Sequence, residues 1–529
     1  MIKILLTYPN LPLMMSPAMS MGLFNAIAKR MGCEVKLFET TQYSEQYNNR
    51  HIRMTEIGAS RQNKKEELED MFWIKDPKDI IPDFIECVED FNPDLILMSV
   101  QEDVWKMASQ LLDSISDKNI PHIIGGVFPT NAPDIVINHP SVNVLARHEG
   151  EITVADAITA IKEKTNFDHI KGLWIKNPNG DIKKNAPQQL CDINKTLPDY
   201  GCFKGIRWRR PMGGKVFERA VSMESYRGCP YNCTYCNSPR TRTLAKDFNI
   251  GNFMRRKSAE QVEKELLIYK DLYDPDLIMF QDDSFLARPE KEVFEFCEMW
   301  SKYKIPFWFN TRIENCKPAY LSALKEAGVY RMTFGVESGN EEYRRKVLKR
   351  QASNDRYYEY FNYINESNIP YSLNVILGMP FETRQMVIDT ADMVHRARGY
   401  DGLTIGMFQP YWGTELRTMA VKAGFLDNAY INSGGYMDKW AIDMPEPYLQ
   451  EDELDKLLRT FALYAHFGPE MHSIIQESET DDKLYKKLFA QYQEEFFGDV
   501  QEGGMDRVNR FCPTHDATST YKFIEVKSL

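Results

Sequence analysis

The sequence predicts an α/β fold built on parallel sheets and closed by a mainly helical C-terminal part. Three patterns predict it. Residues 1–160 alternate short apolar runs with segments of helical spacing, the alternation returns over 216–425, and beyond about 430 helical spacing alone remains. Strands separated by helices imply parallel pairing, because a parallel neighbour is reached only through a long crossover. A chain of 529 residues fits about three domains at roughly 100–200 residues each.

In chain order, MIKILLTY reads as a strand, the stretch from Gly22 to Met31 as a helix and EVKLFET as the next strand. DIIPDFIECVEDF has helical spacing and ends before Asn92-Pro93, while DLILMSV is nearly all apolar, as expected of a strand covered on both faces. VWKMASQLLDSISDKN reads as a helix, IPHIIGGV as a strand that breaks into glycines, and VNVLARHEGE as another strand. Residues 1–160 are therefore expected to form a Rossmann-like, doubly wound parallel sheet, whose ligands bind beyond the carboxyl ends of the strands. Residues 161–215 read as a linker with a β-hairpin, GLWIKNPNGDIKKN, turning at Asn177-Pro178-Asn179-Gly180. Six strand–helix units follow, with strands in RAVSMESY, DLIMFQ, PFWFNTR, YRMTFGVE, IPYSLNVILG and DGLTIGMFQP. Among their helices, SAEQVEKELLIYKDLY opens on a Ser258/Gln261 capping box. Six such units predict a partial (β/α)6 TIM-type barrel over 216–425, with its site on the C-terminal face. Within 426–529, EDELDKLLRTFALYAHF stops at Gly468-Pro469, a second helix runs from about Asp482 to Phe497, and the last thirty residues carry no clear pattern.

Hydrophobic residues make up 43% and charged residues 27% of the chain, the balance of a globular protein rather than a disordered or fibrous one. With Lys+Arg 65 against Asp+Glu 76 and a net charge of −11, wholesale coating of nucleic acid is disfavoured. No apolar run approaches the roughly 18 residues of a membrane helix, and MIKILLTYPN turns polar too soon for a signal peptide. The expected location is the cytoplasm, without membrane association. Of ten cysteines, Cys33, Cys87, Cys191, Cys202, Cys297, Cys316 and Cys512 are scattered singly and read as small buried hydrophobes.

The other three fall in RGCPYNCTYC, as Cys229-x3-Cys233-x2-Cys236. Three thiolates are one short of the four that close an iron–sulfur or structural zinc site. They would leave a metal position open for a substrate or cofactor. Zinc with a fourth ligand from elsewhere is the alternative, but Cys-x2-Cys zinc sites come in pairs and no second pair exists here. The triplet also follows the first barrel strand, on the face where chemistry belongs.

The triplet, with Tyr235 before its last cysteine and a partial barrel behind it, resembles the radical S-adenosylmethionine enzymes. The resemblance implies that Cys229, Cys233 and Cys236 hold a 4Fe–4S cluster, that S-adenosylmethionine binds its open iron, and that one electron generates a 5′-deoxyadenosyl radical. In FQDDSFL, Asp282 and Asp283 stand where the family places groups facing the methionine amine. FGVESGNEEYRRKVLKR resembles the fourth-strand segment of the subgroup containing methylthiotransferases and cobalamin-dependent members, which makes Glu337 the candidate for the ribose or amino-acid part. NVILGMPFET resembles the fifth-strand segment, with Gly378 allowing close approach of adenine, and Phe408, Gln409 and Pro410 would close the pocket.

In the N-terminal part, Gly125-Gly126 at a strand end and the turn His148-Glu149-Gly150-Glu151 resemble the cobalamin-binding domain fused to many of these enzymes, whose turn usually starts with glycine. A Rossmann-like domain with tight turns and no ligand is the plainer reading, and a dinucleotide is disfavoured because G-x-G-x-x-G is absent. The resemblance implies cobalamin contacts at Ser99, Val100, Gln101, Gly125, Gly126, Glu149 and Gly150. None of the nine histidines has Asp two residues earlier, so the D-x-H-x-x-G motif that supplies a lower cobalt ligand is missing. The loop from Ser99 to Trp105 would lie beside that face.

Basic runs flank the cysteines in FKGIRWRRPMGGKVFER, RTRTLAK and FMRRK. They are ordinarily solvated surface, but beside the expected site they admit an anionic small-molecule substrate. The RNA-binding modules of related methylthiotransferases are not evident. The expected activity is cobalamin-dependent methylation of an unactivated carbon, with an external electron donor such as flavodoxin or ferredoxin. Cyclisation or rearrangement with the same cofactors is the alternative outcome, and a non-catalytic cobalamin or iron–sulfur sensor the alternative class.

Overall fold

A computed structural model describes residues 1–12, 16–43, 75–213, 215–433 and 440–499. The first sheet has seven strands: β1 (Lys3–Tyr8), β2 (Glu34–Glu39), β3 (Leu95–Ser99), β4 (His122–Gly125), β5 (Val144–Ala146), β6 (Leu173–Lys176) and β7 (Ile182–Lys184). They lie in the order β2-β1-β3-β4-β5-β6-β7, with β1 to β5 parallel. Strand order reverses between β1 and β3, which makes a crevice at the carboxyl ends. Residues along each strand alternate between two cores. Ile4, Leu6, Leu95 and Leu97 face the helices Met19–Arg30 and Glu151–Glu163, whereas Leu5, Ile96 and Met98 face Ile80–Phe91 and Trp105–Asp113. Cover on both faces is why these strands read as unbroken apolar runs.

The structure departs from the sequence expectation in three places here. The hairpin β6–β7, placed in a linker, extends this sheet by pairing antiparallel with β5. The strand expected across VNVLARHEGE stops at Ala146, because His148 turns into the left-handed region at φ 67 and a helix begins at Glu151. The helix expected from Val104 to Asn119 ends at Asp113 and is followed by a short 3-10 turn, Ser116–Lys118.

An antiparallel ladder of β8 (Arg210–Met212) and β9 (Lys215–Phe217) leads onward, and β11 (Tyr226–Arg227) pairs with β12 (Arg255–Arg256) beside the cysteine loop. The second sheet is β10 (Ala220–Met223), β13 (Leu277–Phe280), β14 (Phe307–Thr311), β15 (Val329–Glu337), β16 (Tyr371–Leu377) and β17 (Gly402–Met407). These six are all parallel and lie in chain order, and β10 and β17 are not neighbours in the ladder. Helices lie between successive strands, as Ala259–Tyr273, Glu290–Trp300, Pro318–Ala327, Asn354–Ser367 and Arg384–Ala397. Ser258 caps the first of them, its Oγ accepting from Gln261 N at 3.2 Å. The reciprocal half of the box is supplied by another segment, since Ser258 N donates to Asn194 Oδ1 at 3.1 Å.

At the C-terminus, helix Glu451–Phe467 packs on Arg384–Ala397 and ends at Gly468, whose φ of 80 no continuing helix allows. A short helix that the pattern did not reveal, His472–Ser478, precedes the final one, Asp482–Asp499. Residues 500–529, with Cys512, lie outside the described residues.

Candidate functional site

The cysteines occupy the loop that leaves β10 and β11 at the carboxyl end of the second sheet. Gly228 opens the loop at φ 99, where a Cβ would meet Phe253 O at 2.7 Å. Helix Ser238–Asp247 follows at once and ties the loop down. Arg242 on it donates from Nη1 to Cys229 O at 2.5 Å and to Tyr231 O at 3.2 Å, and Ser238 N points at Cys236 Sγ from 3.4 Å. Cys229 and Cys233 are half-buried and Cys236 is reachable by solvent. The protein around them disfavours bare thiolates, pushing the Cys229 thiol up to about 11 and the Cys236 thiol up to about 12. A bound cation would reverse that penalty.

Donor spacing discriminates between metals. Zinc, bonded to sulfur at about 2.3 Å, would draw three sulfurs within roughly 3.8 Å of one another. The three sulfurs here are not gathered within 4.8 Å of one another, wider than a single bound zinc would hold them.

The two acids after β13 play different parts. Asp282 is buried and fully engaged, accepting from Ser225 N at 2.8 Å, Ser225 Oγ at 2.5 Å and Arg288 Nη2 at 2.6 Å. It is a structural anchor, not a free acceptor for an amine. Asp283 stands beside Cys229 and Cys236, open to the mouth, and the surrounding protein together with Asp282 and Glu224 pushes its carboxyl up to about 6.

Glu337 is likewise committed. It sits at φ 65 where the pairing of β15 with β16 shifts register, an irregularity that re-aims its side chain inward. Its Oε1 takes hydrogen bonds from Arg350 Nη1 at 3.1 Å and Tyr235 OH at 3.2 Å. Arg350 also donates to Tyr235 OH and to Gly335 O. Burial raises the Glu337 carboxyl and the Arg350 charge opposes it.

The expected open face at Gly378 is filled. A Cβ there would meet Trp440 Nε1 at 2.7 Å and Leu454 Cδ2 at 2.8 Å, and Trp440 donates to Gly378 O at 2.8 Å. Gly378, at φ 76, makes room for the C-terminal part on that side. Phe408, Gln409 and Pro410 are buried, with Pro410 O accepting from Arg417 Nη1 at 2.8 Å.

A cavity of about 350 Å³ opens at the carboxyl ends of β3 to β5. Ser99, Gly125, Gly126, Glu149 and Gly150 line it. Val100 lies fully buried beneath it and Gln101 is exposed beyond it. Gly126 is required for packing, since a Cβ would come within 2.5 Å of Val100 O, whereas a Cβ on Gly125 would meet nothing nearer than Ala146 at 3.6 Å. Helix residues Leu23, Phe24 and Val154 supply an apolar wall, and Glu224 and Arg227 from the second sheet complete the lining.

Glu149 is the hinge of this junction. It accepts from Arg255 Nη1 at 2.9 Å and Cys191 N at 3.0 Å, and Arg227 approaches at 3.2 Å. Burial opposes its charge, but the two arginines prevail and hold its carboxyl at about 2. Arg227 also reaches Glu151 at 2.8 Å and grips Glu224 with both ends of its fork, at 2.8 and 2.9 Å. The arginine-rich flanks thus bind the protein's own carboxylates, as Arg207 with Glu39, Arg209 with Glu218 and Arg256 with Glu292 also do. The sequence offered the HEGE acids and the FMRRK base as separate motifs, and only the fold brings them together.

A second junction joins the loop after β3 to the loop after β17. Buried Glu102 accepts from Trp412 N at 2.8 Å, Asn432 N at 3.1 Å and Asn432 Nδ2 at 2.9 Å, and Asp103 accepts from Tyr411 OH at 2.9 Å. No isolated motif signalled it.

Residues 223–394 match the radical SAM superfamily. The chain is 24% identical over 403 residues to an uncharacterized methyltransferase of Pyrococcus horikoshii, covering 74% of this chain and 82% of the relative. It is 22% identical over 452 residues to the cytidylyl-2-hydroxyethylphosphonate methyltransferase of Streptomyces wedmorensis, covering 77% and 78%. Among solved structures it resembles the radical S-adenosylmethionine methyltransferase TsrM of Kitasatospora setae with cobalamin and a 4Fe–4S cluster bound. That match has a TM-score of 0.59 at 13% identity, over 92% of this chain and 99% of TsrM.

Proposed function

We propose that this chain, which carries a radical S-adenosylmethionine domain, is a cobalamin-dependent radical S-adenosylmethionine methyltransferase acting on an unactivated carbon of a small molecule. One observation carries the reading: the cysteine triplet leaves the carboxyl end of one parallel sheet, and the segment leading into it, through Glu224 and Arg227, lines a cavity at the carboxyl ends of the other. When bound, the cluster, S-adenosylmethionine and cobalamin would supply radical generation and a transferable methyl group.

The chain's own residues divide the remaining work. Cys229, Cys233 and Cys236 would hold the cluster, and Arg242 and the start of helix Ser238–Asp247 fix their loop. Asp283, the solvent-facing acid beside them, would accept a hydrogen bond from the methionine amine, a charge-assisted contact. Tyr235, held by Glu337 and Arg350, makes a rigid wall behind the last cysteine. On the other side, a cavity of about 350 Å³ takes a drug-sized group. It would therefore hold part of a corrinoid, with Ser99, Gly125 and Gly150 in contact. Arg227 and Arg255, bound to Glu149, set the relative position of the two sites.

We read residues 1–160 as the cobalamin-binding, Rossmann-like domain, 161–215 as a linker whose hairpin extends its sheet, 216–425 as a partial barrel and 426–529 as a mainly helical closing domain. Arg227, Arg255 and Arg256 are paired with the protein's own carboxylates and lend an anionic substrate little support, whereas Arg242 beside the cysteines contacts only neutral oxygens.

Anaerobically reconstituted protein should bind about four irons and one cobalamin, and should cleave S-adenosylmethionine under reductant. Cys233→Ala should abolish the cleavage while leaving cobalamin binding intact. Retained cleavage in that variant would remove the radical assignment. S-adenosylhomocysteine formed beside 5′-deoxyadenosine identifies methyl transfer, and 5′-deoxyadenosine alone would redirect the reading to cyclisation or rearrangement.

A further inference from the structure

We infer that the Arg242 guanidinium, besides tying down the cysteine loop, sets the reduction potential of the cluster and raises it. The step concerned is the entry of one electron, and it rests on the cluster proposed above. An external donor loses that electron, the oxidised cluster gains it, and no covalent bond forms or breaks.

Arg242 lies on helix Ser238–Asp247, which follows directly on Cys236 and Asn237. Its side chain turns back onto the loop that joins the first two cysteines. Nη1 donates to Cys229 O at 2.5 Å and to Tyr231 O at 3.2 Å, and Nη2 donates to Asn232 Oδ1. Only a few covalent bonds separate the Cys229 carbonyl from its own sulfur. The cation is therefore seated on the backbone of a cluster ligand, half-buried, where water screens it incompletely.

All three acceptors are neutral, and among the described residues no carboxylate pairs with Arg242. Arg227, Arg255 and Arg256, by contrast, each hold one of the protein's own carboxylates. The helix adds to the same field. Its first turn carries no acid, and Ser238 N points at Cys236 Sγ from 3.4 Å, so its positive end faces a sulfur. Two other charges act on the cysteines. Asp283, beside Cys229 and Cys236, opposes Arg242, and Arg312, which acts on Cys229, is taken by Glu314 at 2.7 Å. Reduction adds a negative charge to a centre that already carries three thiolates. An unmatched cation beside it stabilises the reduced form more than the oxidised one, and charge and hydrogen bonds to sulfur are the levers that set such potentials. A clamp on three neutral oxygens needs donors but no charge.

The test is a redox titration of anaerobically reconstituted holoenzyme, followed by the electron paramagnetic resonance of the reduced cluster, with iron counted in every sample. Arg242→Gln removes the charge and keeps a donor, whereas Arg242→Lys keeps the charge and loses the fork. Poised at the wild-type midpoint, Arg242→Gln should show at least a tenfold lower ratio of reduced to oxidised cluster, a shift of about 59 mV. Arg242→Lys should stay close to the wild-type ratio. Should Arg242→Gln fail to hold its cluster, Asn232→Asp decides. That exposed side chain keeps its acceptor while its carboxylate neutralises the guanidinium, and the ratio should fall again. An unchanged ratio in iron-replete Arg242→Gln, or in Asn232→Asp, overturns the inference. So does an equal fall in Arg242→Lys, which would assign the effect to loop geometry and not to charge. Wild-type protein that binds no iron removes the cluster reading itself, a failure visible before any titration.

Discussion

Asp282 and Asp283 are neighbours in sequence and opposite in consequence. Asp282 receives three hydrogen bonds, one from Arg288, and is buried. Asp282→Asn leaves the Arg288 charge uncompensated, and breaking a buried pair in this way costs about 3–5 kcal/mol. Its melting temperature should fall clearly in a thermal scan. Asp283→Asn removes a solvent-facing acid and should leave the melting temperature within a degree or two while weakening S-adenosylmethionine binding by about tenfold, since one charge-assisted hydrogen bond is worth about 1.5–3 kcal/mol. A stable Asp282→Asn protein with weakened cofactor binding would exchange the two roles. The sequence reading singled out both acids without separating them, because which of two adjacent residues turns inward depends on where Ser225 and Arg288 arrive. Gly378 shows a related limit. Its positive φ is a local property, but the group that fills the space, Trp440, comes from 62 residues away. The cysteine triplet was legible because its chemistry is written in local spacing.

At the level of elements, the all-apolar strands announced themselves because both faces are covered, whereas β6 and β7 gave no sign that their partner was β5. Junctions between loops are less legible still. The loop after β3 places Glu102 and Asp103 against the loop after β17, where the facing groups are Trp412, Asn432, Tyr411 and the Arg417 cation. Burial, opposed by the Trp412 and Asn432 N–H donors and Arg417, pushes the Glu102 carboxyl up to about 7, and burial pushes Asp103 up to about 6. In the unfolded chain both would titrate near 4. Between about pH 4 and 7 the folded chain therefore keeps protons that the unfolded chain has released, and this contribution to stability falls as pH rises through that window. The urea midpoint should decline from pH 5 to pH 8, and Glu102→Gln should flatten the decline. An equally steep profile in the variant would show that other groups set the pH response.

Over the whole molecule, domains joined by linkers usually meet through polar interfaces of about 600–1,500 Å² and unfold separately. This chain is arranged otherwise. One continuous buried cluster runs from Ile4 and Leu97 on the underside of the first sheet, through Val221, Phe280 and Phe334 of the second, to Trp440, Leu457 and Phe496 of the C-terminal part. Buried ion pairs at Glu149 and the hydrogen bonds of the Glu102 junction fasten the same boundaries. Separating the first sheet from the second would expose apolar surface and leave Glu149 without Arg227 and Arg255, so the two are expected to unfold together. A ligand bound at the ends of β3 to β5 should then stabilise the distant cluster site as well. At a cobalamin concentration 100 times its dissociation constant, that stabilisation is about 2.7 kcal/mol. Loss of iron–sulfur absorbance and loss of helical circular dichroism should fall in one thermal transition, and cobalamin should raise both together. Two separated transitions, of which cobalamin moves only one, would mean that the shared core does not couple the two sites.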